Sequence, residues 1–408
     1  MNNKICRICK KKIKLIIDLG KICLVGNFKS NKKIQKKYKI SLNYCKQCKH
    51  VQISEHIKPD LLFKNYLWET GVSKSNLTLI ENYLKIFKKL KIKKNSKLLE
   101  VASNDGTFVK KIYNFFKCKV VGVDPAKNFK KNYSKKIKFY NNYFNKISSI
   151  KIKKKFGKFD FIVARNVIAH VTNPNTIFGG FNELLQANGV GIIEVPHLYN
   201  IIKDNQYDNI FHEHIGFHSL KSLEDLCKIN KMKIFDVQTI SSQGGSLRCF
   251  VAKKNSDYKI SKNINIILNK EKRMGLFKNK KLEKFKIIIN NHRKSLLSLL
   301  KNLKKNNKKI SIYGASGKGQ ALMQYCGVDN KIIDNVYDKS NLKIGKYTPG
   351  TNIKILNPKK INVRNIDYLL ILAWNLKKEI ILQEKKFMKG GGRFIVPFPK
   401  PKIISTIY

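Results

Sequence analysis

Leu98-Leu99-Glu100-Val101-Ala102-Ser103-Asn104-Asp105-Gly106-Thr107, followed by Val120-Val121-Gly122-Val123-Asp124-Pro125, is the stretch that decides the fold. An apolar run, a turn of small residues, a helix-length gap and a second apolar run ending in an acid 24 residues after Glu100 spell one strand–helix–strand unit of a Rossmann-like sheet. Asp124 falls where ribose hydroxyls are held, and the small-residue turn lets a ligand approach the backbone. Dinucleotide sites want G-x-G-x-x-G at that turn, whereas Ala102 to Gly106 offers one glycine and an extra carboxylate, Asp105, which would repel a pyrophosphate. S-adenosylmethionine (SAM) has no phosphate and carries a sulfonium and an ammonium, so acids around the turn suit it. The turn therefore reads as a SAM site, with Glu100, Ala102, Ser103, Asn104, Gly106 and Asp124 as cofactor contacts. A doubly wound domain with an ordinary turn is the plainer alternative, since short motifs do not define function by themselves.

The 408 residues give room for two or three domains. The N-terminus lacks the apolar core of a signal peptide, and no apolar run reaches the about 18 residues of a membrane helix. A soluble, cytoplasmic protein with no membrane partner is expected. The net charge of +58 invites a nucleic-acid reading. Only 7 of the 84 basic residues are Arg, however, and nucleic-acid readers lean on the forked guanidinium. Lys, Ile and Asn share A/T-rich codons, so a solvated lysine coat accounts for runs such as 151–155 and 301–309, and no nucleic-acid partner is expected. Arg165, Arg248 and Arg393 lie in motif-like segments, where a retained Arg implies a geometric task.

Cys6-x-x-Cys9 and Cys45-x-x-Cys48 form two knuckles able to present four thiolates tetrahedrally, which predicts a closed structural zinc site. Cys23, Cys118, Cys227, Cys249 and Cys326 are isolated and read as small core residues. Downstream, helical spacing over 75–95 leads into the Leu98 strand, and strands alternate with helices to about Ala252, giving one α/β domain. Residues 256–308 read as a helical connector carrying the stripe Leu282, Phe285, Ile289, His292, Leu296, Leu299 and Leu303, on which His292 is packed. A second Rossmann-like unit begins with the strand Lys309 to Tyr313 and the turn Gly314-Ala315-Ser316-Gly317-Lys318-Gly319. That turn is not a Walker A loop, but its N–H groups and the Lys318 ammonium could receive a diphosphate, or it could serve chain reversal alone. The fold class is α/β: a zinc-binding domain over 1–72, a class I SAM methyltransferase domain over 73–255, and the connector plus a C-terminal Rossmann-like domain over 256–408.

His212-Glu213-His214 lacks the helical spacing of a catalytic zinc site, and neighbours two apart share a face only in a strand. Asn166 and His170 follow the Phe159 strand and so sit beyond the C-terminal sheet edge, where α/β sites form. Histidines gathered at one edge favour a general base over structural roles.

In order, the paired Cys-x-x-Cys knuckles, E-V-A-S-N-D-G at Glu100–Gly106, N-V-I-A-H-V at Asn166–Val171, Glu194-Val195-Pro196, His212-Glu213-His214, G-G-S-L-R at Gly244–Arg248, Tyr313-Gly314-Ala315 with Lys318-Gly319, and Ala373-Trp374-Asn375 resemble the zinc-containing, SAM-dependent C-methyltransferases of nucleotide-linked 4-keto-6-deoxyhexoses. The resemblance covers essentially the whole chain. It implies a base that removes the C3 proton beside the keto group, an enolate that attacks the SAM methyl, and a cytoplasmic role in deoxysugar or surface-glycan synthesis. By resemblance His214 is the base, oriented by Glu213, while His170 and Asn166 meet the reacting end of the sugar. Tyr66 or Trp68 lines the substrate pocket, and Lys318 and Arg248 serve the nucleotide diphosphate, Arg248 having a structural role as its alternative; a monomer is expected. Two positions depart from the family pattern: Phe211 stands where a Tyr is usual before His-Glu-His, and Gln243 stands where a His precedes Gly-Gly-Ser-Leu-Arg. The competing readings are a SAM-dependent O- or N-methyltransferase of a related glycan precursor and a zinc-bearing nucleic-acid-binding protein.

Overall fold

The computed structural model describes residues 4–63, 70–72 and 74–406, arranged around three sheets. The first is antiparallel: Lys14–Cys23, Lys37–Tyr44 and Val51–Ile53 follow one another, and Gly216–Phe217 from the middle of the chain closes the edge. At its end the four cysteines gather, each knuckle turning through a left-handed residue just after its second Cys, Lys10 at φ 63° and Lys49 at φ 58°.

The second sheet runs Met232–Ile240, Ser246–Lys253, Leu185–Pro196, Phe159–Arg165, Lys97–Val101, Lys119–Val123, Lys138–Tyr140. Its last five strands are mutually parallel and the first two antiparallel, with Lys97–Val101 near the middle. The apolar runs read from the sequence explain this: a strand covered by helices on both faces has no polar side, and Leu98, Leu99, Phe161, Ile162, Val163 and Ile192 are all buried. The third sheet orders Ile355–Leu356, Val336–Tyr337, Ile310–Tyr313, Tyr368–Ile371, Arg393–Val396 and Lys402–Ile404, parallel except for the last pair. Gly319 is required here, because a Cβ would lie 2.6 Å from Cβ of Leu372 where the helix Gly317–Cys326 crosses its sheet.

Two helices, Lys262–Arg273 and Asn279–Lys305, connect the second and third sheets. The longer one buries Leu282, Phe285, Ile289, His292 and Leu296 as the stripe predicted, then Leu300, with Leu299 and Leu303 only partly covered. Over 27 residues a 3.6-residue period drifts off a strict three–four alternation, so the stripe slides by one position at its end. Near the C-terminus two short helices, Lys377–Gln383 and Lys385–Lys389, part at Glu384, whose carboxylate accepts the Tyr313 hydroxyl at 3.0 Å.

The segment 198–217 leaves the second sheet's company. Leu198, Ile201, Tyr207, Ile210, Phe211 and Ile215 pack into one core with Ile17, Ile40 and Leu42 of the first sheet and Ile310, Leu322 and Tyr325 of the third unit. All three sheets therefore meet at this segment, and it carries His212-Glu213-His214.

Candidate active site at the meeting of three domains

The first half of the site is the turn after Lys97–Val101. Ala102 (φ 54°), Asn104 (φ 52°) and Gly106 (φ 78°) take left-handed conformations, which fold the chain tightly enough to aim N–H groups at the strand ends. Asp124 holds that turn shut: one carboxylate oxygen accepts the Asn104 N–H and the other the Ala126 N–H, both at 2.8 Å. The C-terminal unit repeats the device, with Asp338 accepting Ala315 N–H at 2.7 Å and Ser340 N–H at 2.8 Å. Asp105 accepts Gly71 N–H at 2.9 Å and Thr107 N–H at 3.0 Å, so its carboxylate ties the segment before the SAM domain to the turn. The Tyr133 ring lies against the turn, its hydroxyl donating to Ser103 Oγ at 2.6 Å.

Glu100 is buried and takes Arg165 Nη2 at 2.6 Å, while the guanidinium carbon stands 4.3 Å from the centre of the Phe108 ring. Burial pushes the Glu100 carboxyl up to about 7; Arg165 pulls against this, and Asp105 and Asp124 push with it. One of its oxygens, Oε2, has no hydrogen-bond partner among the described residues. Such an oxygen can receive a hydrogen-bond donor, and the SAM ammonium is one that would favour its ionised form. The sign follows: a cation favours the ionised form, so affinity for S-adenosylhomocysteine, which keeps the ammonium, rises with pH through about 7 and falls below it. The Kd is expected to improve about tenfold from about pH 6 to about pH 8. Isothermal titration checks this, and Glu100→Gln should flatten the profile; a profile as steep in the variant would assign the titration elsewhere.

Arg248 does for Glu194 what Arg165 does for Glu100, its Nε 2.7 Å from the Glu194 carboxylate and its guanidinium 4.6 Å from the Tyr83 ring centre. It is 3% exposed and braces adjacent strands, which is its structural alternative realised in geometry. Arg7 and Arg293 likewise hold carbonyls: those of Thr172 and Glu55, and that of Tyr325. Arg393 is exposed at the start of its strand.

The second half of the site is the turn over 211–214. His214 Nδ1 lies 2.8 Å from the Asn209 carbonyl, and because a carbonyl only accepts, Nδ1 carries the proton and Nε2 is left as a free base. Burial drives the His214 pKa well below its ordinary value, with His170 and Lys318 pushing the same way. The His170 ring stands 4.8 Å away at 72°, its own pKa lowered by burial to about 4. Asn166, in left-handed conformation at φ 54°, buries an Oδ1 that no described residue satisfies. The Phe211 ring lies 4.1 Å from His214 and packs under Gly317 at the start of the C-terminal helix. Lys318 beside it is half-buried and donates to the Gln243 carbonyl at 3.0 Å, so the two family departures, Phe211 and Gln243, both border the Gly317–Lys318 turn.

Glu213 does not make the expected bond to His214, whose orientation falls to the Asn209 carbonyl. Its carboxylate faces Gly26 of the N-terminal domain, and burial pushes it up to about 7. His212 turns the other way, to the Lys39 carbonyl at 3.1 Å. Among the described residues the four cysteines are the only group placed to share a metal. Tyr66 and Trp68 lie outside the described residues.

Cys6 and Cys48 sulfurs are 3.4 Å apart, Cys9 and Cys45 3.5 Å, and all four lie within 4.8 Å of one another. Tetrahedral zinc with Zn–S bonds of about 2.3 Å needs sulfurs about 3.8 Å apart, so the set fits. Closely packed thiols drive Cys45 down and push Cys6 up to about 12, and a bound metal cation would displace the remaining thiol protons to solvent. The other five cysteines are buried as expected.

The seven-stranded sheet with an acid-rich turn at its central strand and a second acid at the next strand's end defines a class I SAM-dependent methyltransferase. Residues 74–230 match the family model of a methyltransferase domain, residues 6–63 that of a zinc binding domain, and residues 241–399 that of the C-methyltransferase C-terminal domain. Over 98% of its length the chain is 29% identical to 97% of the C-methyltransferase NovU of Streptomyces niveus. Together these matches support a zinc-containing, SAM-dependent C-methyltransferase, with SAM and zinc as its cofactors. Solved structures similar to part of it include the PH0226 protein of Pyrococcus horikoshii (16% identity, 49% of this chain and 100% of that one, TM-score 0.36). A second is a SAM-dependent methyltransferase of Anabaena variabilis (15% identity, 43% and 83%, TM-score 0.35). No helix among the described residues is long and apolar enough to cross a membrane.

Proposed function

We propose that this enzyme places a methyl group on carbon of a nucleotide-linked 4-keto-deoxysugar, acting in the cytoplasm in deoxysugar or surface-glycan synthesis. The observation that carries the reading is the His214 imidazole: neutral, with Nδ1–H committed to Asn209, Nε2 left as the basic nitrogen, and the ring 4.8 Å from that of His170. A neutral imidazole of fixed tautomer suits removal of a proton made acidic by a neighbouring ketone. The proton passes from the carbon to Nε2, the electron pair enters the enolate, and the enolate carbon takes the methyl, leaving the cofactor as S-adenosylhomocysteine. Bound SAM supplies the electrophilic methyl; Glu100, the 102–106 turn and Asp124 would hold it. Asn166 and His170 meet the keto end of the sugar, and Glu213, able to carry a proton near neutrality, meets a hydroxyl. Lys318 faces the diphosphate from the C-terminal domain, while Arg248 serves it at second hand by bracing the Glu194 strand.

The test is mass spectrometry of a panel of nucleotide-linked 4-keto-6-deoxyhexoses incubated with enzyme and SAM. One added methyl in the sugar fragment, resonating as C-methyl by NMR, supports the reading. An O-methyl or N-methyl product would replace it with the competing transfer chemistry. No product from any member would move the acceptor outside this class.

A further inference from the structure

The turn that aims His214 is gripped residue by residue from the C-terminal half of the chain. The Tyr207 hydroxyl meets His292 Nδ1 at 3.1 Å, and His292 Nε2 donates to the Pro397 carbonyl at 2.7 Å. Since Nε2 must carry the proton to reach a carbonyl, Nδ1 accepts and Tyr207 donates. The His292 ring stacks on Phe398 with centres 4.7 Å apart. Asp208, wholly buried, accepts the Trp374 indole N–H at 2.7 Å. The Tyr325 hydroxyl donates to the Ile210 carbonyl. Asn209, between these anchors, is wholly buried and presents the carbonyl that takes His214 Nδ1–H.

We infer that the C-terminal domain aims the base: Trp374 and Tyr325, together with Tyr207–His292, fix the 207–210 turn and through the Asn209 carbonyl fix the tautomer of His214. Trp374 and Tyr325 are positioning residues, since they reach the reacting atoms only through this turn. The arrangement makes chemical sense because a base with its proton on Nε2 cannot take one from the sugar, and an imidazole released from its carbonyl spreads over both tautomers. The hydrogen bonds span 166 residues for Trp374–Asp208 and 115 for Tyr325–Ile210, so the base is correctly set only when the third sheet is docked. The inference rests on His214 being the base.

The test uses full-length, zinc-loaded protein labelled with 15N-histidine and saturated with S-adenosylhomocysteine. The His214 resonances, assigned by their loss in His214→Gln, should show a protonated Nδ1 and an unprotonated Nε2. Trp374→Phe keeps an aromatic ring beside Phe398 and loses only the indole N–H; Tyr325→Phe loses only the hydroxyl. In each, the two His214 shifts should move toward a tautomer average, and the kcat on whichever panel sugar is methylated should fall about tenfold with KM unchanged. The double variant should lose more than either. Unchanged His214 shifts in the folded double variant would overturn the inference, as would a rise in KM alone, which would make Trp374 a substrate contact. The tautomer measurement needs no substrate, so it decides the aiming role separately: if His214→Gln still transfers methyl, the base assignment falls, whatever the shifts show.

Discussion

His214→Gln is expected to lower the single-turnover rate of methyl transfer by about 10²- to 10⁴-fold, the span that a positioned base contributes. That equals about 3–5 kcal/mol of barrier. Affinity for S-adenosylhomocysteine should stay at the wild-type value, because the SAM turn and its acids make no contact with His214. Glutamine is the informative replacement: its side-chain N–H can still meet the Asn209 carbonyl, so the 207–214 segment keeps its packing while the basic nitrogen is lost. The companion readout is exchange of the acidic sugar proton into deuterated water in the presence of S-adenosylhomocysteine, which isolates proton removal from methyl transfer. Exchange at the wild-type rate in His214→Gln would take the role of base away from His214. The pH profile carries a further sign. Burial sets the His214 pKa well below its ordinary value, so no acid limb from this imidazole should appear near pH 6.5. The limb expected near 7 belongs to the carboxyls of Glu100 and Glu213, which burial raises to that range. Glu100→Gln should shift that limb in kcat/KM for SAM.

The parts of this molecule written in local patterns were legible in its sequence. Parallel strands buried on both faces are continuous apolar runs, so Leu98 to Val101, Val120 to Val123 and Phe159 to Ala164 announced the second sheet. Two Cys-x-x-Cys pairs announced the metal cluster because thiolate geometry demands that spacing. What stayed hidden has no period. Gly216–Phe217 joins the sheet of the zinc-bearing domain by pairing with Val51 and Gln52, a contact between residues more than 160 positions apart. The orientation of His214 by Asn209 rather than Glu213 depends on how the 207–214 segment turns, and that turn is set by Trp374, Tyr325 and His292 from another domain. Arg165 and Arg248 could be singled out because arginine is scarce in this lysine-rich chain, and both hold buried carboxylates. Their partners, Glu100 and Glu194, lie on neighbouring strands, a register no single-sequence pattern reveals.

Cys45→Ser, or removal of zinc by a strong chelator, is expected to unfold the first sheet and abolish transfer. The four sulfurs close the end of the first sheet: Cys6, Ile8, Cys45 and Cys48 are buried together, and the hydrogen bonds of the two knuckles run mainly within their own turns. Zinc binding to such a cluster is worth about 10–16 kcal/mol, against a net stability of about 5–15 kcal/mol for an ordinary domain. Its loss is therefore larger than the remaining packing can absorb. The consequence reaches the active site by two routes. Asn175, on the helix Pro174–Leu184 of the SAM domain, donates to the Arg7 and Ile8 carbonyls at 3.2 and 3.0 Å, and Arg7 donates to the Thr172 carbonyl at 3.2 Å. The strand Gly216–Phe217, two residues beyond His214, pairs with Val51–Ile53 directly after the second knuckle. A metal-free enzyme should accordingly retain the second sheet and its SAM affinity yet lose transfer, because the segment carrying His214 has lost its edge partner. Calorimetry with metal analysis separates the cases: one zinc per chain, a low-temperature transition appearing on chelation, and S-adenosylhomocysteine binding preserved. A chelated protein that keeps both its melting temperature and its transfer rate would make the cluster dispensable.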